Sequence, residues 1–156
     1  MIYKFLITLT ILLSSLHFSQ NVSKIEFHHS NDIILFKSVN IVFVPIQNNK
    51  KGKVRIKVKV DRDEEYFSRI SKEKFTEIYN ACLKIKYDTV AVKNNLIDGS
   101  YTNIELYDNL GNSKSYSASG LNKKSQNDDS QKDFWYVTKL IIKAAGLEME
   151  DLIGYR

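Results

Sequence analysis

Two adjacent histidines, His28 and His29, are the main candidates in the sequence for holding a metal ion. Neighbouring residues of a β-strand point to opposite faces, so this pair cannot bind one metal ion from a regular strand. His17, the third histidine, lies in a segment that we expect to be removed, and a single cysteine excludes cysteine-based zinc or iron–sulfur sites. The sequence therefore predicts no metal site and no cofactor.

Nucleophilic catalysis has two candidate side chains, a serine and the single cysteine. The segment Ser117–Gly120 lacks the first glycine of the G-x-S-x-G elbow, and it lies on a predicted hairpin arm instead of a strand–turn–helix corner. Cys82 falls on the apolar side of a predicted helix, where we expect it to be buried and to behave as a small hydrophobe. We therefore predict no catalytic residues and no enzymatic activity.

Clustered carboxylates are the remaining candidates for catalysis. Asp61, Asp63, Glu64 and Glu65 crowd a predicted turn, and a second acidic pair at 128–129 precedes a predicted helix. Acid–base catalysis by paired carboxylates needs at least one of them desolvated, which an exposed turn does not provide. We favour a capped turn for the first cluster. A calcium-binding loop is the alternative, although the glycine at which an EF-hand loop turns is missing.

A row of cations on one predicted strand is a candidate binding surface. Apolar and charged residues alternate strictly through 53–60, and this alternation predicts five cations on one face of the strand: Lys51, Lys53, Arg55, Lys57 and Lys59. Like charges at this spacing repel, so the face must lie in water or against acids. It is either a solvated face that discourages edge pairing or a docking surface for an acidic protein or an anionic surface. Nucleic acid is not expected as a partner, because no aromatic side chains alternate with the cations.

A predicted hairpin supplies the second candidate surface. Alternation places four residues of its first strand on the same face as serines of its second strand; they are Tyr101, Asn103, Glu105, Tyr107, Ser115, Ser117 and Ser119. Tyrosine with serine and asparagine is typical of adaptable protein-binding surfaces, although an ordinary solvated sheet face has the same pattern. The polar segment 120–129 is a possible adjoining binding loop. We favour the hairpin as the main contact, because desolvating tyrosine costs less than desolvating lysine.

Periodicity predicts the elements that position these side chains. The first half is expected to contain an irregular first strand near 22–27, short apolar strands at 33–36 and 41–44, and the alternating strand 54–60. A helix from Lys72 to Ile85, capped by Ser71, is expected to follow, and then a short strand at 90–92 and the hairpin strands 101–107 and 114–119. A second helix, capped by Ser130 or Asp129 and ended by Gly146, and a last helical turn at 147–153 are expected to close the chain. The strands at 41–44 and 54–60 are expected to pair as a hairpin. This order predicts an α+β fold with an antiparallel sheet and two main helices.

Length and composition indicate one globular domain behind an export signal. The chain has 156 residues, of which 43% are hydrophobic and 26% charged, and its net charge of +5 is modest. Residues 1–19 combine a weakly basic start, an apolar run and small residues, which predicts a signal peptide cleaved between Ser19 and Gln20. The apolar run is about half the length that spans a bilayer, so we expect no stable membrane anchor. We expect residues 20–156 to form a single α+β domain in the periplasm or outside the cell, although residues 1–19 could instead be a buried N-terminal element.

This layout resembles that of small periplasmic immunity proteins of bacterial toxin systems. The shared features are a short exported chain, strands before the Phe75–Ile85 helix, a hairpin that follows Asp98-Gly99, and a closing helix. The resemblance covers the layout of the mature chain and transfers no functional residue. It implies a non-catalytic inhibitor that binds a toxin or effector protein. A structural or accessory protein of the cell envelope and a small hydrolase with an unrecognised site are the alternatives.

Overall fold

A mixed seven-stranded sheet and two main helices form the fold of the computed structural model, which describes residues 22–31, 37–47, 52–61, 64–91 and 99–152. In chain order the elements are β1 (Val22–Asn31), β2 (Lys37–Pro45), β3 (Lys53–Val60), β4 (Glu64–Ser71), α1 (Lys72–Cys82), β5 (Thr89–Ala91), β6 (Ser100–Asp108), β7 (Ser113–Ser119), a 3₁₀ turn (Lys123–Asn127), α2 (Lys132–Ala145) and α3 (Met149–Leu152). The strand order is β4-β3-β2-β1-β6-β7-β5, antiparallel throughout except for the parallel pair β5–β7. The predicted α+β class is confirmed.

The hydrophobic core lies between one face of this sheet and the two main helices. Burial alternates along β1 and β3, so every second side chain points toward the helices. The strands contribute Ile25, Phe27, Val39, Ile41, Phe43, Val54, Ile56, Val58, Ile104, Leu106, Tyr116 and Ala118, and the helices contribute Phe75, Ile78, Cys82, Phe134, Val137 and Ile141. We call the opposite face of the sheet the outer face. No helix of the described residues packs against it.

Most predicted elements occur where the sequence pattern places them. The strand 41–44 pairs with 54–60 as predicted, and the Ser71 hydroxyl caps α1 by accepting a hydrogen bond from the Lys74 amide at 3.3 Å. Gly146 ends α2 in the left-handed conformation with φ 80°. The predicted signal peptide (1–19), the apolar strand at 33–36 and Val92 lie outside the described residues.

Several predicted boundaries are wrong. Glu64 and Glu65 do not belong to a turn: Asp61 turns the chain with φ 51°, and Glu64 begins the eight-residue strand β4. The first strand extends to Asn31, beyond its predicted end near 27, and its predicted irregularity is present as a shift in register against β6 between Val22 and Lys24. Helix α1 ends at Cys82, before Ile85, and α2 follows Gln131 without a side-chain cap from Ser130 or Asp129. The polar segment 120–129 contains the 3₁₀ turn. No helix of the described residues is long and apolar enough to cross a membrane.

His29 connects the sheet to the last helix from a buried position. Its side chain is 1% exposed on the core face of β1. Nε2 lies 2.9 Å from the carbonyl oxygen of Leu152, which can only accept, so Nε2–H donates there. Nδ1 lies 2.9 Å from the Thr102 hydroxyl and accepts from it in the neutral ring. Burial lowers the pKa of His29, although the bond to Leu152 acts in the opposite direction.

This lowered pKa predicts a loss of stability on acidification. Below pH 6.5 the His29 side chain is protonated in the unfolded chain but stays neutral in the folded one until the pH reaches its lower folded pKa. The free energy of unfolding should therefore fall as the pH is lowered from about 6.5 to that folded pKa. The slope contributed by one group is at most about 1.4 kcal/mol per pH unit. Replacing His29 by Asn should remove this slope, measured by urea unfolding at pH 7.5 and 5.5. His28→Asn, on the outer face, is the matched control and should keep it. An unchanged slope in the His29 variant would contradict the assignment.

Candidate functional site

The outer face brings the two predicted binding surfaces together. Strand register places Lys57 opposite Val42, Val42 opposite Glu26, Glu26 opposite Glu105, and Glu105 opposite Ser115. Residues directly opposite each other share a face, so these side chains form one row across five strands. The cation row on β3 and the tyrosine row on β6 are three strand spacings apart, about 14 Å. They are two parts of one surface.

The cation row lies on an interior strand. Arg55, Lys57 and Lys59 are exposed and Lys53 is half-buried. Because β3 lies between β2 and β4, the row cannot serve to protect a sheet edge, so that part of the solvated-face interpretation is wrong. The Lys57 ammonium lies 3.0 Å from a Glu65 carboxylate oxygen. Lys53, Arg55 and Lys59 form no salt bridge with any residue that the structure describes. Lys51 lies outside the described residues.

Strand β4 extends this cationic region with side chains that the sequence analysis missed. Phe67 is 62% exposed and lies opposite Lys57, whose ammonium is 5.9 Å from the ring centroid. Arg69 lies directly opposite Arg55. Together, Arg55, Phe67 and Arg69 line a shallow, open depression. The outer face therefore combines an exposed aromatic ring with an excess of positive charge along β3 and β4.

Neutral side chains on β2 separate the cations from the hairpin. Ile41 and Phe43 point into the core, whereas Val42 is half-buried and Val44 is 42% exposed on the outer face. The sequence analysis missed these two valines, because a continuous apolar run does not show that one of its sides is solvated. The next pair along the strand is polar: Asn40 Oδ1 accepts a hydrogen bond from Nδ1 of His28 at 2.7 Å.

The hairpin residues lie on the outer face, and most of them already have partners within the protein. Tyr101 is 43% exposed, opposite Ser119. Asn103 accepts a hydrogen bond from the Ser115 hydroxyl at 2.8 Å, and Ser117 lies opposite Asn103. Of the two tyrosines on this strand, Tyr101 thus has the more accessible ring, because Tyr107 is half-buried in a polar cluster.

Lys24, Glu26, Glu105 and Tyr107 form this polar cluster, in which Lys24 and Tyr107 reduce the repulsion between the two carboxylates. Glu26 and Glu105 are cross-strand neighbours, a pairing of like charges that is unfavourable alone. The Tyr107 hydroxyl lies 2.5 Å from a carboxylate oxygen of Glu105 and 3.0 Å from one of Glu26. The hydrogen bond to Glu105 is the main cause that raises the pKa of Tyr107. The Lys24 ammonium lies 2.8 Å from Glu26 and 3.7 Å from the Tyr107 ring centroid. Chemically the cluster offers a partner carboxylate acceptors at a fixed position.

The other chemical candidates lie apart from one another. Cys82 is fully buried on α1, and burial raises its pKa to about 12. Asp61 accepts a hydrogen bond from the Ser38 amide at 2.8 Å, which is the role of a turn residue, and Asp63 lies outside the described residues. Asp129 pairs with Lys132 at the start of α2. Within the described ranges, no three His, Cys, Asp or Glu side chains are grouped so that they could hold a metal ion.

No protein-family model matches the sequence, and no curated protein matches it either. The outer face is therefore the feature from which a function has to be inferred.

Proposed function

We propose that this is an exported, non-catalytic protein that binds a partner protein through the outer face of its sheet. The observation that carries the proposal is the continuity of this face. It joins the cations of β3 and β4 to the neutral centre of β2 and the tyrosine-bearing strand β6, with no described helix covering them.

The side chains of the face indicate the chemistry of the partner. Phe67, Val44 and Tyr101 expose apolar area, and aromatic and arginine side chains dominate the energetics of protein interfaces. Arg55 and Lys59 are exposed cations without a salt bridge among the described residues. Their charge would steer an acidic surface toward the sheet and would repel a basic one. We therefore infer a partner that presents carboxylates around an apolar centre.

The partner class that we propose is a toxin or effector protein, which makes this chain an immunity-type inhibitor. An inhibitor of this kind works by covering its target, so it needs a broad complementary face and no catalytic group. The resemblance in layout to periplasmic immunity proteins supports this choice. A role as an accessory protein of the cell envelope would use the same face with a different partner.

Site-specific photo-crosslinking in living cells tests the proposal. A photoreactive phenylalanine analogue placed at Val44 or Tyr101 should give the same protein adduct after irradiation, because both positions are exposed on the outer face. The matched control is Tyr136, which is 52% exposed on α2, on the opposite side of the sheet. We expect no adduct at that position. Mass spectrometry then identifies the captured protein.

The identity and position of the adduct separate the possible outcomes. A captured protein that kills cells lacking this chain supports the immunity role, and a captured envelope-assembly protein supports the accessory role. An adduct formed at Tyr136 and at neither Val44 nor Tyr101 would place the interface on the helical side and overturn the proposal.

A further inference from the structure

Strand β4 is an edge of the sheet, and none of the described strands pairs with its other side. The direction of its backbone groups follows from two hydrogen bonds. The Ile46 amide donates to Lys53 O at 3.1 Å, and the Asp61 amide donates to Ser38 O at 2.7 Å. The odd-numbered residues of β3 therefore bond to β2, and its even-numbered residues bond to β4, since the backbone direction alternates along a strand.

The same alternation fixes which residues of β4 face the free edge. The register pairs Ile56 with Ser68 and Val58 with Tyr66, so the even-numbered residues of β4 bond to β3. The amides and carbonyls of Glu65, Phe67 and Arg69 consequently point away from the sheet. The side chains of these three residues lie on the outer face. The edge thus offers backbone hydrogen bonds and exposed side chains at the same three positions.

Arg69 lies next to a like charge at this edge. It lies directly opposite Arg55, and like charges in that relation repel. Neither guanidinium forms a salt bridge with any residue in the described part of the chain. A carboxylate added on the open side of β4 would lie next to Arg69 and relieve this repulsion.

The sequence of β4 supplies such a carboxylate when the strand meets a second copy of itself. In an antiparallel pairing with its two-fold axis at Phe67, Glu65 of each copy lies opposite Arg69 of the other. The two Phe67 rings are then cross-strand neighbours. Glu65 contacts Lys57 through one carboxylate oxygen, Oε2, which leaves Oε1 for the second copy. Moving the axis to Ser68 would place Glu65 opposite Ser71 and lose both charge pairs.

We propose that two copies of this chain associate edge to edge through β4, in the register centred on Phe67. Edge-facing residues then meet edge-facing residues, which completes the backbone hydrogen bonds of both edges. The exposed Phe67 gains an aromatic cross-strand partner. The two Lys57 side chains lie about three strand spacings apart, roughly 14 Å, which exceeds the Debye length of about 8 Å at physiological salt. The outer faces of the two copies join into one surface.

Sedimentation velocity of charge variants tests this dimer. The protein is expressed with its own N-terminal segment and purified in the form that the cell retains. We expect a dimer for the natural sequence. Glu65→Arg and Arg69→Glu should each raise the dissociation constant by about tenfold or more, because two attractive pairs become repulsive. An equimolar mixture of the two single variants should form a heterodimer, since both charge pairs are then attractive again. The doubly exchanged chain, E65R with R69E, should dimerise like the natural sequence.

The mixture separates an effect on dimerisation from an effect on folding. The E65R and R69E chains that dimerise poorly alone must both be folded if they form a heterodimer with each other. Glu77→Arg, the same charge change on α1, is the matched control and should leave the dimer unchanged. A natural protein that stays monomeric up to about 100 μM would overturn the proposal. So would a dimer that neither single variant weakens. The experiment uses no other protein, so it succeeds or fails independently of the proposed function.

Discussion

Cys82 should react with a thiol reagent at least about a thousandfold more slowly in the folded protein than in denaturant. The thiolate is the reacting species, and burial raises the pKa of Cys82 from 9.0 to about 12. Each pKa unit lowers the thiolate fraction about tenfold at neutral pH, so the shift alone gives this factor. The side chain is also 0% exposed, which slows the reaction further. The measurement is the rate of labelling by a chromogenic disulfide reagent at pH 7.5, with and without denaturant.

A relocated cysteine provides the control for this measurement. Asn80 is exposed on the same helix, so a Cys82→Ala, Asn80→Cys variant should react at nearly the same rate when folded and when unfolded. Native labelling of Cys82 within about tenfold of the denatured rate would contradict its burial and would make a reactive thiol possible again.

The elements that the sequence predicted well are those in which one side is buried and the other is solvated. In β3 the strict alternation of valine or isoleucine with lysine or arginine has a period of two, and the structure buries Val54, Ile56 and Val58. In α1, Phe75, Ile78 and Cys82 recur at helical spacing, and all three are buried. In both elements the contrast between the two sides is present in the sequence itself.

The elements that could not be predicted from the sequence lack this contrast between a buried and a solvated side. Strand β4 is at an edge, and its first four residues, including Phe67, are exposed whichever side they point to. Hydrophobic periodicity needs a buried side, so β4 resembled a turn followed by a helix start. The burial of His29 is a related case, because it depends on β1 lying between β2 and β6. The pairing of β1 with β6 joins residues about 80 positions apart, and no local pattern encodes it.

This long-range pairing also determines the candidate site. From the sequence, the cation row and the hairpin are alternative surfaces, because the face that each presents is known only relative to its own strand. The register through β2 and β1 shows that the two faces are one. The residues of the cation row and the hairpin were therefore predictable from the sequence. The continuity of the face came only from the structure, as did the contributions of Val42, Val44, Phe67 and Arg69.

Replacing Tyr101 by Ala should weaken binding of the crosslinked partner by about thirtyfold, mainly by faster dissociation. The Tyr101 ring is 43% exposed in the free protein, so a partner can bury it. Truncating an aromatic anchor that is buried in a complex costs about 2 kcal/mol or more. Tyr136→Ala, on the helical side, is the matched control and should leave the kinetics unchanged. Tyr107→Ala should also speed dissociation, but it uncovers the Glu26–Glu105 pair as well. Tyr107→Phe separates these effects, because it keeps the ring and removes only the hydroxyl.

The cation row should act on association instead. Reversing Arg55 and Lys57 to Glu should slow association and flatten its dependence on salt, because exposed charges steer the encounter and are screened by ions. Fold stability should change little, since both side chains are exposed on β3. Surface plasmon resonance at several salt concentrations measures both rates for each variant.

If Tyr101→Ala leaves the dissociation rate unchanged while its circular dichroism is intact, the hairpin is not the anchor. Phe67, the most exposed apolar side chain of the outer face, would then be the position whose truncation accelerates dissociation.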